Sequence, residues 1–170
     1  MASGSSVIFL SPAAFARGED FVGWLPLPVK GRCYRFHDWL YHKECVAKAG
    51  PLFAGLQAGG IMDWDYWGQV IPHYLYEGQP DPAEVHAAAF AVSTTTREGY
   101  ASGLLLASYC FGAGWMTLNT IPILENLDRH PAADRLLVNL INEAVKQTVG
   151  PLVPLPDGFG DLLASIGYTH

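Results

Sequence analysis

Acid–base chemistry needs carboxylates and imidazoles brought together, and the sequence concentrates them in two places. The first is Met62-Asp63-Trp64-Asp65-Tyr66-Trp67. On an extended strand Asp63 and Asp65 would share one face, about 7 Å apart by two rises of roughly 3.3 Å. Glycosidases use two carboxylates roughly 5 to 9.5 Å apart. Trp64, Tyr66 and Trp67 beside them can stack on the apolar face of a sugar ring. The same residues fit a plainer part, in which the rings anchor a loop and the aspartates cap turns or bind neighbouring amides. Asp-x-Asp is common, so that part is the default, and Asp63 and Asp65 stand as catalytic candidates beside it.

The second place is His37-Asp38-Trp39-Leu40-Tyr41-His42-Lys43-Glu44. If extended, Asp38, His42 and Glu44 share a face; if helical, Asp38 and His42 are i,i+4 neighbours. Either arrangement can ligate a divalent metal or pair a carboxylate with an imidazole. It is not His-Glu-x-x-His and no further metal motif accompanies it. A surface or subunit-contact cluster is therefore expected, with no metal. Glu44 is a third catalytic candidate. His37, Asp38 and His42 join Trp64, Tyr66 and Trp67 as substrate-contact candidates. Glu125, just past a predicted hairpin, is the fourth carboxylate, placed either to line a crevice at strand ends or to cap the final helix. His73 and His86 fall in predicted strands and read as satisfied core histidines. No glycine spacing suits a phosphate, and no cofactor is expected. Cys33, Cys45 and Cys110 show no paired spacing and read as free thiols.

The elements that must position these groups are clearest after residue 70. Val70–Tyr76, Val85–Val92, Gly103–Phe111 and Trp115–Thr120 carry strand patterns. Gly112-Ala113-Gly114 joins the last two as a hairpin. Pro131 suits the first position of a helix capped by His130 or Asp128. Leu136, Leu137, Leu140, Ile141, Ala144 and Val145 then recur at helical spacing as its predicted inner face. Earlier, Val7–Leu10 reads as a short strand, residues 15–31 as a loop packed by Phe15, Phe21 and Trp24, and residues 32–39 as extended. A short helix is expected at Asp161–Ile166.

The 170 residues suit one domain, and half of them are hydrophobic with 15% charged, which excludes disorder. Ten Lys and Arg against sixteen Asp and Glu leave −6, which opposes a nucleic-acid backbone. No apolar run is long enough to span a bilayer, so no membrane partner is expected. Residues 1–6 lack a basic region and an apolar stretch, so no secretory signal is read and a cytoplasmic location is expected.

The order hairpin, short loop, amphipathic helix, written GLLLASYCFGAGWMTLNTIPILENLDRHPAADRLLVNLINEA over residues 103–144, resembles the closing unit of class I glutamine-amidotransferase-like domains. These are flavodoxin-type domains of the kind appended to glycoside hydrolases of the β-galactosidase and β-glucuronidase type. VIFLSPAAF (7–15), YHKE (41–44) and GGIMDWDYW (59–67) are similar to that group's middle section. The resemblance implies an α/β fold: a partial amidotransferase-like open sheet with a C-terminal β-hairpin and one long amphipathic helix. Residues 1–150 would form a single domain and 151–170 a Pro-rich tail. Such domains place two or more βα units before the strand matching Val7, so the sheet is expected to be truncated at its N-terminus. Its first strand would then present an open edge, to be covered by a second copy or by exchanged segments.

True amidotransferases hold a nucleophilic Cys at a Gly-x-Cys-x-Gly elbow with a downstream His-x-Glu. Cys110 lies inside the hairpin and His130 is followed by Pro131 and Ala132, so that chemistry is not expected here. The resemblance implies an accessory domain of carbohydrate-active enzymes that contributes oligomer or sugar contacts, with carbohydrate as the ligand class. The alternative is a small stand-alone glycoside hydrolase using the paired carboxylates beside the tryptophans.

Overall fold

The apolar runs flanking Gly112-Ala113-Gly114 form the hairpin around which a mixed α/β structure is built. The computed structural model describes residues 1, 3–35, 43–66, 69–92, 100–147 and 152–168. Among these are eight strands, β1 (Ser6–Phe9), β2 (Arg32–Arg35), β3 (Lys43–Ala47), β4 (Gly60–Ile61), β5 (Tyr74–Glu77), β6 (Glu84–Val92), β7 (Tyr100–Phe111) and β8 (Gly114–Asn119). Two helices follow, α1 (Pro131–Lys146) and α2 (Phe159–Ser165). Phe111 pairs with Gly114 across the turn. Gly112 takes φ 59° there, the positive value a type II′ turn asks of its first central residue.

The strands form one open sheet in the order β1-β8-β7-β6-β3-β4, with β2 and β5 joined to it through β7. β1 runs parallel to β8, and every other pair is antiparallel. A strand has two sides, and β6 occupies one side of β7, so β8 and β5 share the other. β8 takes Leu106–Phe111, and β5 takes over at Leu104. Gly103 permits that approach, because a Cβ on it would strike the Leu75 side chain and the Tyr76 carbonyl.

The two faces bury different sets. On one, α1 and the Pro51–Phe53 turn cover Leu105, Leu106, Cys45 and Ala47. On the other, Phe15, Val22, Leu25 and Leu27 of the N-terminal segment cover Ala107, Tyr109, Phe111, Met116 and Leu118. This bears out the loop packed by Phe15. The tail returns to the hairpin tip, where the Val153 amide donates to the Gly112 carbonyl at 3.0 Å and Phe159 meets Phe111 edge-on.

Two expectations are corrected and one alternative is decided. Val70 and Ile71 precede β5 in a turn, so the strand starts at Tyr74, and His73 is an exposed residue before it. Trp64–Tyr66 is a 3-10 turn, closed by the Tyr66 amide on the Asp63 carbonyl at 3.0 Å, so the extended arrangement that the paired-carboxylate reading needed is not formed and the default loop-anchoring part stands. Finally, α1 starts at Pro131 with the His130 ring nitrogen accepting from the Ala132 amide, as expected, but it is rotated. It buries Ala132, Ala133, Leu136, Asn139 and Leu140, while Ile141 and Val145 are 50% and 68% exposed. Asn139 sets that rotation by donating to the carbonyls of Leu52 and Ala54 at 3.1 and 3.0 Å.

Candidate functional site

The carboxylates marked by the sequence are dispersed. In a turn of three residues, positions i and i+2 point in different directions, so Asp63 and Asp65 do not share a face. Asp65 accepts the Gln57 amide at 2.7 Å. The Tyr66 hydroxyl donates to the Gln57 carbonyl, and its ring is buried against Phe53. Asp65 and Tyr66 thus serve the loop-anchoring part, while Trp64 is 73% exposed. Glu44 lies in β3 opposite Phe90, on the face away from Cys45 and Ala47. Glu125 is in the Leu124–Asn126 turn. It lines a crevice of about 280 Å³ beyond the carboxyl ends of β1 and β8, with His73 and Gln69. His37, Asp38, His42 and Trp67 lie outside the described residues.

The structure assembles a different constellation beneath α1. β6 carries a bulge: Val85 pairs with Ala107 and Ala87 with Leu106, leaving His86 as the inserted residue. Bulges re-aim side chains locally. His86 here turns toward β7, where its Nε2 lies 2.9 Å from Ser108 Oγ. Ser108 Oγ lies 2.9 Å from Thr117 Oγ1 on β8. These three polar residues, 8%, 1% and 4% exposed, run across three adjacent strands.

They form the floor of a cavity of about 290 Å³. Ile8, Leu52, Phe53 and Leu140 supply apolar wall, and Lys48, Glu84, Glu143 and Gln147 supply polar rim. The Lys48 amide donates to the His86 carbonyl at 2.8 Å, extending the β3–β6 ladder and setting Lys48 beside the bulge. Lys48 Nζ pairs with Glu84 Oε1 at 3.0 Å, and Lys146 Nζ pairs with Glu143 Oε1 at 2.6 Å. Burial pushes the His86 imidazole below its ordinary pKa, opposed by Glu84, aided by Lys48 and opposed again by Glu143. The ring is thereby held neutral, with one nitrogen donating and the other accepting.

Glu84, His86 and Ser108 stand in the order of an acid–base–nucleophile triad. The geometry does not complete one. Glu84 Oε1 is 3.9 Å from His86 Nδ1, beyond hydrogen-bond reach, and Lys48 holds it. Ser108 sits in mid-strand with ladder partners on both sides, Glu84 and Thr117. Its own strand therefore offers no paired N–H groups of the kind an elbow turns toward an oxyanion. The arrangement suits recognition through hydrogen bonds better than nucleophilic attack.

Other groups fit this picture. Burial pushes the Cys33 thiol up to about 12, and Cys110 upward too, away from thiolate chemistry. Among the described residues no cluster of His, Cys, Asp or Glu is arranged to hold a metal ion, and no helix is long and apolar enough to cross a membrane. That His86 lies in a strand was legible. Its meeting with Ser108 and Thr117 depends on a bulge that no local sequence signal announces. Comparisons with protein-family models, curated proteins and solved structures returned no match.

Proposed function

We propose that this chain is an accessory domain associated with carbohydrate-active enzymes, without hydrolytic chemistry of its own, that assembles with a second copy through β1. The carbohydrate association rests on the resemblance of residues 103–144 to such domains. The placement of Asp63, Asp65, Glu44 and Glu125 supports the accessory reading over a stand-alone glycosidase, because among the described residues no two of them line the cavity beneath α1 or the crevice beyond β1 and β8.

One observation carries the assembly: β1 is an outer strand without the protection the other outer strands have. Sheet edges are blunted by charge, proline or shortness. β2 carries Arg32 and Arg35, with Arg32 paired to Glu77, and β4 has only two residues. β1 reads Ser-Val-Ile-Phe, uncharged and β-branched, with β8 as its one strand partner among the described residues. An edge strand paired antiparallel with its own copy closes about a two-fold axis, so assembly stops at two. A four-residue ladder is small for a stable dimer. α1, which packs on β1, also turns Val138, Ile141 and Val145 outward, apolar area that the contact would cover.

Light scattering across a dilution series tests this. A dimer that Val7→Lys converts to a folded monomer is the expected result. A wild-type chain that stays monomeric at every concentration would refute it. Turnover of nitrophenyl glycosides that Asp63→Asn or Asp65→Asn abolishes would refute the accessory reading.

A further inference from the structure

We propose that the cavity between α1 and the sheet is a binding site for a neutral polyhydroxylated ligand of one ring, the size of a monosaccharide or cyclitol. This goes beyond the assembly through β1 and does not depend on it, since the cavity is built within one chain.

Charge excludes the other classes. Each rim carboxylate already has its ammonium, Lys48 on Glu84 and Lys146 on Glu143. An anion would enter a site that offers no spare cation at its floor and two carboxylates at its rim. A cation would have to displace an ammonium already in place. A neutral ligand meets neither obstacle.

The polar groups define what that ligand presents. Both ammonium contacts fall on Oε1, and the second oxygen of each carboxylate is a further acceptor. With Nε2 of His86 spent on Ser108 and Ser108 bonded on both sides, one bonding position of Ser108, two of Thr117 and the Nδ1 of the neutral imidazole remain for a ligand. Such a set is met by a molecule with several adjacent hydroxyls. His86 Nε2, Ser108 Oγ and Thr117 Oγ1 succeed one another at 2.9 Å, a spacing like that of oxygens in a gauche vicinal diol. Two adjacent hydroxyls of a ligand can therefore reach Ser108 and Thr117 together.

Shape completes the argument. Ile8 continues the row on β1 beside Thr117, Leu52, Phe53 and Leu140 come from the turn and helix that cover this face, and a pyranose or cyclitol ring also has a C–H face. The volume of about 290 Å³ equals roughly ten waters. That holds one ring of about a dozen heavy atoms, at the small end of ligand pockets, and leaves no room for a second.

The full chain is titrated with methyl β-D-glucoside, methyl β-D-galactoside, myo-inositol, glucuronate and glucosamine. The readouts are the His86 ring ¹⁵N resonances and thermal stability. The expected result is a saturable shift of those resonances with at least one neutral probe. Affinity should fall at least tenfold in Thr117→Val, and in Glu143→Gln if Ser108→Ala proves too unstable to assay. Glucuronate should bind more weakly than the neutral probe it most resembles. Failure of all three neutral probes to move the His86 signals up to their solubility would overturn the proposal. So would equal or tighter binding of glucuronate or glucosamine, or affinity unchanged in both Thr117→Val and Glu143→Gln. A monomeric chain that binds leaves this inference standing while the β1 dimer falls, and a dimer that binds nothing does the reverse.

Discussion

Ser108 is the middle member of the His86–Ser108–Thr117 row, and its removal should cost more than removal of either end. Ser108→Ala deletes two hydrogen bonds of 2.9 Å and orphans polar groups on both neighbours. An orphaned buried group costs about 1–3 kcal/mol. The adjoining cavity lets water satisfy part of what is lost at His86, so the sum is roughly 2–4 kcal/mol. For a domain of this size each kcal/mol lowers Tm by about 2–4 °C, giving a drop of roughly 4–16 °C. Thr117→Val leaves the His86–Ser108 bond intact, and its cost should be about 1 kcal/mol. The triple variant His86→Leu/Ser108→Ala/Thr117→Val removes every partner together and leaves nothing unpaired in the row. It should therefore recover most of the Ser108→Ala loss, because deleting both sides of a buried bond is far cheaper than deleting one. Urea melts of the four proteins measure this. A Ser108→Ala change within about 0.5 kcal/mol of wild type, or a Thr117→Val loss as large as that of Ser108→Ala, would refute the reasoning.

His86 makes stability pH-dependent with a definite sign. Its folded pKa lies below the ordinary 6.5 because burial disfavours the charged ring. The unfolded chain then binds more protons between those two values, so stability is complete above about pH 6.5 and falls as pH drops through it. Lys48, Glu84 and Glu143 are the charged groups that face the same ring. The fall in Tm between about pH 7 and 5.5 should thus be larger in wild type than in His86→Gln. Gly103→Ala should cost about 2–3 kcal/mol, since the added methyl meets the Tyr76 backbone carbonyl, which cannot rotate away; a thermal melt matching wild type would contradict the β5–β7 approach. Asn139→Ala should cost about 2 kcal/mol by orphaning the Leu52 and Ala54 carbonyls. Amide exchange in residues 52–56 should rise with it, and unchanged protection there would deny Asn139 that role.

What was legible in the sequence is what neighbouring residues decide among themselves. Gly112 and the runs beside it specify the hairpin, and Pro131 with His130 specifies the start of α1. Ser6–Phe9 and Glu84–Val92 emerged as strands within a residue or two of expectation. What was left open or misread lies where distant contacts outweigh local pattern. Asp63-Trp64-Asp65-Tyr66 alternates as well in a strand as in a short turn, and the buried Tyr66 with its bond to Gln57 selects the turn. Leu137, Ile141 and Val145 continue a fair helical stripe, yet Asn139 binding the Leu52 and Ala54 carbonyls turns a different side inward. The cavity floor draws one residue from each of three strands across a bulge, so no window of sequence contains it.

The buried polar residues divide by what they bond to, and the division separates scaffold from site. Asn119 donates to the carbonyls of Leu10 and Ile121, Asn126 to those of Gln69 and Pro122, and Asn139 to those of Leu52 and Ala54. Each supplies donors to irregular backbone that strand and helix ladders do not serve, which is a requirement of the fold. His86, Ser108 and Thr117 instead bond to one another through their side chains, inside a sheet whose backbone groups are paired in ladders. Apolar residues of similar shape would fill those three positions at little or no cost in stability. A row the fold does not need, set on the floor of a cavity with an apolar wall opposite, is explained by what enters the cavity. The asparagines answer to the backbone; the His–Ser–Thr row answers to a ligand.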